Sequence, residues 1–195
     1  MEQVSSNRRI AKNTLFLYIR MLFVMAVTLY TSRLVLDALG IEDYGLYNVV
    51  GGIVSIFAII NGALSSGSSR FITFELGRGD KERLGKTFSA SFLIHTVIAL
   101  IVFVLAETIG LWYVNNILVV PEGRLVVANW LYQFSVLTCM LSLTQVPYSA
   151  CIIAHEEMNI YAFVGIAEAV FKLLMVLFLI AIDSFDRLLF YGACL

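Results

Sequence analysis

Glu168 and Lys172 stand four residues apart inside a long apolar stretch, in the order that brings a carboxylate and an ammonium together on one helix face. Such a pair can do chemistry in two ways. It can contact an anionic headgroup or an ion, with the carboxylate changing protonation as it does so. Alternatively the two charges neutralise each other and make insertion into an apolar medium less costly. Arg20 is similarly placed inside an earlier apolar stretch. Its guanidinium can snorkel to an interface on its apolar stem, or offer paired donors to an anion in a cavity. Arg33 reaches the opposite interface by the same snorkelling geometry, and Glu107 reads as interfacial. Among neutral groups, Asn61 is the strongest candidate, because an amide in hydrocarbon needs a cavity or a partner. Asn129 and Gln133 share one face of another stretch, while Thr144 and Gln145 lie too far along it to join them.

Hydrolytic and metal chemistry find no comparable pattern. His95 is alone in an apolar run, and His155 has acidic neighbours but no second histidine at ligand spacing. Cys139, Cys151 and Cys194 all lie in apolar segments without paired-ligand spacing, as small buried hydrophobes do. Gly79 and Gly85 lack the spacing and the Lys-Ser/Thr ending of a phosphate-binding loop. The expectation is a protein that is not an enzyme, with no cofactor, no metal and no nucleic-acid partner.

The elements that must carry these residues are apolar and long. Hydrophobic residues make up 60% of the 195, whereas only 14% are charged, against about 25% in an ordinary soluble domain. Mean hydropathy is +0.89. Spans are expected at about 14–36, 44–69, 87–113, 125–154 and 158–182, with a sixth starting at 188–195. The run 125–154 has 30 residues without a charge, longer than one untilted crossing requires, and Pro147 is a place for a kink or an end. Gly51-Gly52, Asn61-Gly62-Ala63 and the serines to Ser69 line the second span with small residues, first of all a helix-packing signal. Tyr44, Tyr47, Trp112, Tyr113 and Tyr161 near span ends read as an interfacial belt. The chain is therefore an all-α polytopic transmembrane bundle forming a single transmembrane domain over 1–195.

Charge placement orients it. Arg8, Arg9 and Lys12 precede the first span, and Arg70, Arg78, Lys81, Arg83 and Lys86 lie between the second and third. Asp37, Glu42, Asp43, Glu122, Arg124, Asp183, Asp186 and Arg187 fall on the other side. The positive-inside rule puts the N-terminus and the basic connection in the cytoplasm. The run Arg78–Lys86 reads as a solvated, topology-fixing turn that could also attract anionic lipids.

Two segments carry a resemblance. Leu39-Gly40-Ile41-Glu42-Asp43-Tyr44-Gly45-Leu46-Tyr47 resembles the turn that opens the second helix of polysaccharide flippases, in the superfamily of lipid II flippases and multidrug and toxin extrusion transporters. Arg70-Phe71 with Glu75–Asp80, and Gln145–Tyr148 with Ala154–Tyr161, look like that family's first cytoplasmic loop and its fourth-to-fifth helix turn. The resemblance covers the chain from about Asn13 onward. It implies a two-lobe flippase of which this is the first six-helix lobe, truncated in helix six and lacking the C-terminal lobe. It also implies a bacterial inner-membrane protein that exports lipid-linked oligosaccharides by alternating access, with membrane lipids around it. On that pattern Arg20 could meet the substrate pyrophosphate, beside candidate contacts at Asn61, Lys172, Glu168, Asn129, Gln133 and Arg33. An organic-cation exporter of the same superfamily and a non-transporting scaffold of a glycan-synthesis complex are the alternatives. A cavity lined by Arg20, Lys172 and Asn61 would favour the flippase, and charges turned to the interfaces the scaffold.

Overall fold

The computed structural model describes residues 2–56, 58–121, 123–181 and 187–194, with side chains described for 12–56, 61–121, 123–181 and 188–192. The side chains of Arg8, Arg9, Arg187 and Cys194, and the whole of Glu122, Asp183 and Asp186, lie outside them.

Every described element is helical. The run Glu2–Ser55 is helical on both sides of Gly40, whose φ of 78° and ψ of 172° separate α1 (2–39) from α2 (41–55). That conformation is open to glycine and strained for other residues. Beyond Ile56 come α3 (Ala58–Arg78), α4 (Lys81–Leu105), a π-helical turn (Ala106–Gly110), α5 (Leu111–Asn116), α6 (Leu125–Ala154), α7 (Met158–Ala181) and α8 (Arg187–Cys194).

Two expectations change in detail. The stretch 44–69 is divided between α2 and α3, with Ile56 in a turn. Near that division Ser55 Oγ donates to the Gly52 carbonyl at 2.7 Å, a local bond that competes with helix continuation after two glycines. The basic run after Arg78 is mostly helix, because Gly79 takes a positive φ of 72° and Asp80 caps α4. The Asp80 carboxylate accepts from the amides of Glu82 and Arg83 at 3.1 Å each, satisfying donors that a helix start leaves free.

Helix α6 is the centre of the bundle. Val127, Ala128, Leu131, Tyr132 and Val136 meet Leu46, Val50 and Val54 of α2, Ala106 and Val114 beyond α4, and Leu188 of α8 in one buried cluster. A second cluster joins Ile72 of α3 to Ala150 and Ala154, with Leu84 and Phe88 of α4 against it. The helix runs on past the buried Pro147 to Ala154. Helix α7 packs mainly along α1, so the bundle has a seam between the α1–α7 pair and α6.

Outward faces are apolar. Leu15, Leu22 and Leu29 of α1, Val97, Leu100 and Ile101 of α4, and Phe171, Leu174 and Phe178 of α7 are all exposed. Soluble proteins do not leave contiguous apolar faces of this extent uncovered. Among the described residues, Lys12–Ser55, Lys81–Asn116, Leu125–Ala154 and Met158–Ala181 are each long and apolar enough to cross a membrane.

Connections sort to two ends. Asn13 Nδ2 donates to the Glu156 carbonyl at 3.3 Å, and Leu76, Leu84 and Ala154 share a cluster. At the other end Arg124 bonds Asp43 at 2.8 Å, tying the start of α6 to the start of α2. The chain is a multi-pass membrane bundle.

Candidate functional site

The seam between α1–α7 and α6 opens into two adjoining cavities of about 320 Å³ and 250 Å³. Their linings follow from helix registers. Ser135, Thr138 and Ser142 recur along one side of α6 and line the larger cavity, with Cys139 at the edge of the apolar cluster beside them. Gly51 and Ser55 of α2 and Asn61 of α3 face them. The smaller cavity takes Thr28, Thr31 and Ser32 from α1 and Tyr44 and Asn48 from α2. Hydroxyls and amides thus dominate the polar lining. Lys172 and Tyr47 line both spaces, so they sit where the cavities meet. The Tyr47 and Tyr191 rings are 4.9 Å apart at 59° beside that junction.

Lys172 is the one charged residue lining these two cavities among the described residues. Its ammonium meets the Glu168 carboxylate at 3.1 Å, and both side chains stay substantially exposed. An exposed pair of this kind is weakly held, so Lys172 can exchange its partner for an incoming anion. Thr31 Oγ1 is buried without a hydrogen-bond partner on the smaller cavity's wall, a further unused polar group.

The expected site residues separate into three groups. Asn61 and Lys172 come together in the larger cavity, with Glu168 bonded to Lys172. Arg20 turns inward, but onto α7 and outside the cavity lining. Its guanidinium carbon lies 4.5 Å from the Tyr161 ring centroid. Its Nε is buried without a partner, over Gly165, where a β-carbon would overlap it. Arg20 is about 10 Å, seven residues of helix rise, from Val27 at the cavity edge. Asn129 and Gln133 face a different neighbour. Asn129 forms a reciprocal amide pair with Asn115 at 3.0 Å, and Gln133 donates to Glu107 at 3.2 Å. They join α6 to the end of the preceding hairpin rather than to the cavity. Arg33 is exposed on α1.

Tyr47 also lines the cavities, and Tyr161 packs its ring against the Arg20 guanidinium. Residue type alone gave no sign of this. Ser135, Thr138 and Ser142 join the site, and their spacing of three and four, which marks one helix face, is the signal that finds them in the sequence.

No family model, curated protein or solved structure matches the chain. The functional reading therefore rests on the cavity itself.

Proposed function

We propose that this protein moves a lipid-linked oligosaccharide across the membrane by alternating access, with a second lobe facing the cleft. The observation that supports this most is a hydroxyl- and amide-lined cleft in a membrane bundle, with Lys172 as its charged lining residue. Ser, Thr, Asn and Tyr side chains donate and accept, which suits the alternating hydroxyls of a sugar. A lysine ammonium suits a phosphate, and it gains strength where water is scarce. In this reading Arg20 and Lys172 are successive anion contacts along the α1–α7 pair, and the cytoplasmic face carries Lys12, Arg78, Lys81, Arg83 and Lys86. The apolar exterior of α1, α4 and α7 meets lipid.

An organic-cation exporter of similar architecture needs an acidic cavity, and a cationic lining residue opposes it. A scaffold for glycan synthesis needs no polar cleft. The discriminating experiment is transport in proteoliposomes by the protein with both lobes present, with a fluorescent prenyl-diphosphate sugar in one arm and a quaternary ammonium dye in the other. The reading expects transfer of the diphosphate, reduced by Lys172→Ala. Transfer of the dye alone would replace it with the exporter, and transfer of neither would favour the scaffold.

A further inference from the structure

Helices α3 and α4 leave a cavity of about 350 Å³ between them, away from the cleft that holds Lys172. Leu64 and Phe71 of α3 and Ile94 of α4 make its wall mostly apolar, whereas Ser68, Ser91 and His95 bring polar groups to it. Phe71 and Ile94 are themselves exposed, so the space is reached from the lipid around the bundle. A mostly apolar hollow with a few convergent polar groups is the common form of a small-molecule site.

His95 is 2% exposed, and its two ring nitrogens differ. Nδ1 lies 2.7 Å from the Ser91 carbonyl oxygen. A carbonyl only accepts, so Nδ1 carries the proton, and in the neutral ring Nε2 is then an acceptor. Nε2 is on the ring's far side from that bond, buried and without a hydrogen-bond partner. An unfilled acceptor in such surroundings is costly. One turn back along α4, the Ser91 hydroxyl lies 2.9 Å from that of Ser68, and both residues are buried. That bond uses one of their two protons, and the other has no acceptor among the described residues.

The wall thus carries one unfilled acceptor and one unassigned donor, which are the complements of an alcohol hydroxyl. A carboxylate or phosphate has no proton for Nε2 and brings a charge into an apolar wall. A plain hydrocarbon leaves both groups unfilled. We propose that the α3–α4 cavity binds a neutral long-chain alcohol drawn from the bilayer, its hydroxyl donating to His95 Nε2 and its chain lying along Leu64, Phe71 and Ile94. A fatty alcohol and a prenol share this chemistry. The site is separate from the Lys172 cleft and does not depend on what that cleft carries.

The test uses the purified full chain in lipid nanodiscs and three diazirine photoprobes: a fatty alcohol, a prenol, and a hydrocarbon of the fatty alcohol's length. Labelled positions are mapped by mass spectrometry in the wild type, His95→Phe and Ile94→Trp. Saturable labelling within 63–71 and 87–95 by an alcohol probe is expected, and whichever alcohol gives it names the source. Losing the Nε2 acceptor in H95F should weaken the alcohol's half-saturation roughly threefold to tenfold, while the hydrocarbon labels weakly and without saturation in both proteins. If H95F is not recovered folded, I94W, at an exposed wall position, fills the space and is expected to abolish the saturable labelling. Equal saturable labelling by the hydrocarbon overturns the proposal. Alcohol labelling confined to other segments, or unchanged in H95F and I94W, overturns it as well.

Discussion

Arg20 of α1 and Tyr161 of α7 meet where the two helices pack, the guanidinium carbon 4.5 Å from the ring centroid. The arrangement holds a cation inside the bundle by its attraction to an aromatic face and leaves Nε without a partner. A cation–π contact contributes about 0.5–2 kcal/mol. If it positions Arg20 for an anion, Tyr161→Leu weakens binding of a prenyl diphosphate roughly 2- to 30-fold. Thermophoresis of the purified protein with that lipid measures it. Gly165→Val crowds the same guanidinium and is expected to act in the same direction, whereas unchanged affinity in both variants would remove Arg20 from the binding path.

The Tyr132 hydroxyl anchors the π turn from α6. Tyr132→Phe removes one buried bond and leaves the Ala106 carbonyl without that donor, a loss of about 1–3 kcal/mol. Thermal unfolding in detergent should begin several degrees lower. Gly110→Ala is expected to be the more severe, because its methyl overlaps the Tyr132 hydroxyl. A wild-type midpoint for both would show that the turn does not depend on this contact.

How much of this could be read from the chain depends on where each residue's partner lies. Helix α6 was legible because residues 125–154 carry no charge and no glycine. The Glu168–Lys172 bond was legible because both partners sit on one helix, a turn apart. The face shared by Asn129 and Gln133 was legible too, but its neighbours were not. Asn115 and Glu107 are 14 and 26 residues away from them, and only the packed hairpin brings them close. The same holds for Arg20, whose stem allows either snorkelling or the turn onto Tyr161. The division near Ile56 escaped because Ile53–Ala58 contains neither proline nor charge. The π turn escaped because Glu107, the one charge in that run, reads as an interfacial residue, and residue type does not mark one extra residue in a helical turn.

Asp80 is a local stability element outside the apolar spans. Asp80→Ala deletes the cap on α4, which costs about 1 kcal/mol. Amide hydrogen exchange over 81–86 should quicken roughly fivefold at unchanged exchange in α6. Equal rates in both proteins would mean that packing alone fixes the start of α4.

The two ends of the bundle give a topology prediction. In a chain with Cys139, Cys151 and Cys194 replaced by alanine, Lys81→Cys and Asn116→Cys should react with a membrane-impermeant maleimide from opposite sides. Lys81→Cys is expected on the cytoplasmic side, with the other basic residues. Labelling of both from one side would contradict the crossing assigned to α4 and its extension to Asn116.

Translocation itself is the most direct test of the cleft and its cation. Inverted vesicles containing the wild type, Lys172→Ala or Arg20→Ala are loaded with fluorescent prenyl-diphosphate sugar, and its appearance in the opposite leaflet is timed. Loss of one charge-assisted contact of about 1.5–3 kcal/mol predicts a roughly 10- to 150-fold slower transfer in each variant at equal membrane abundance. Transfer at the wild-type rate in both variants would contradict the central claim.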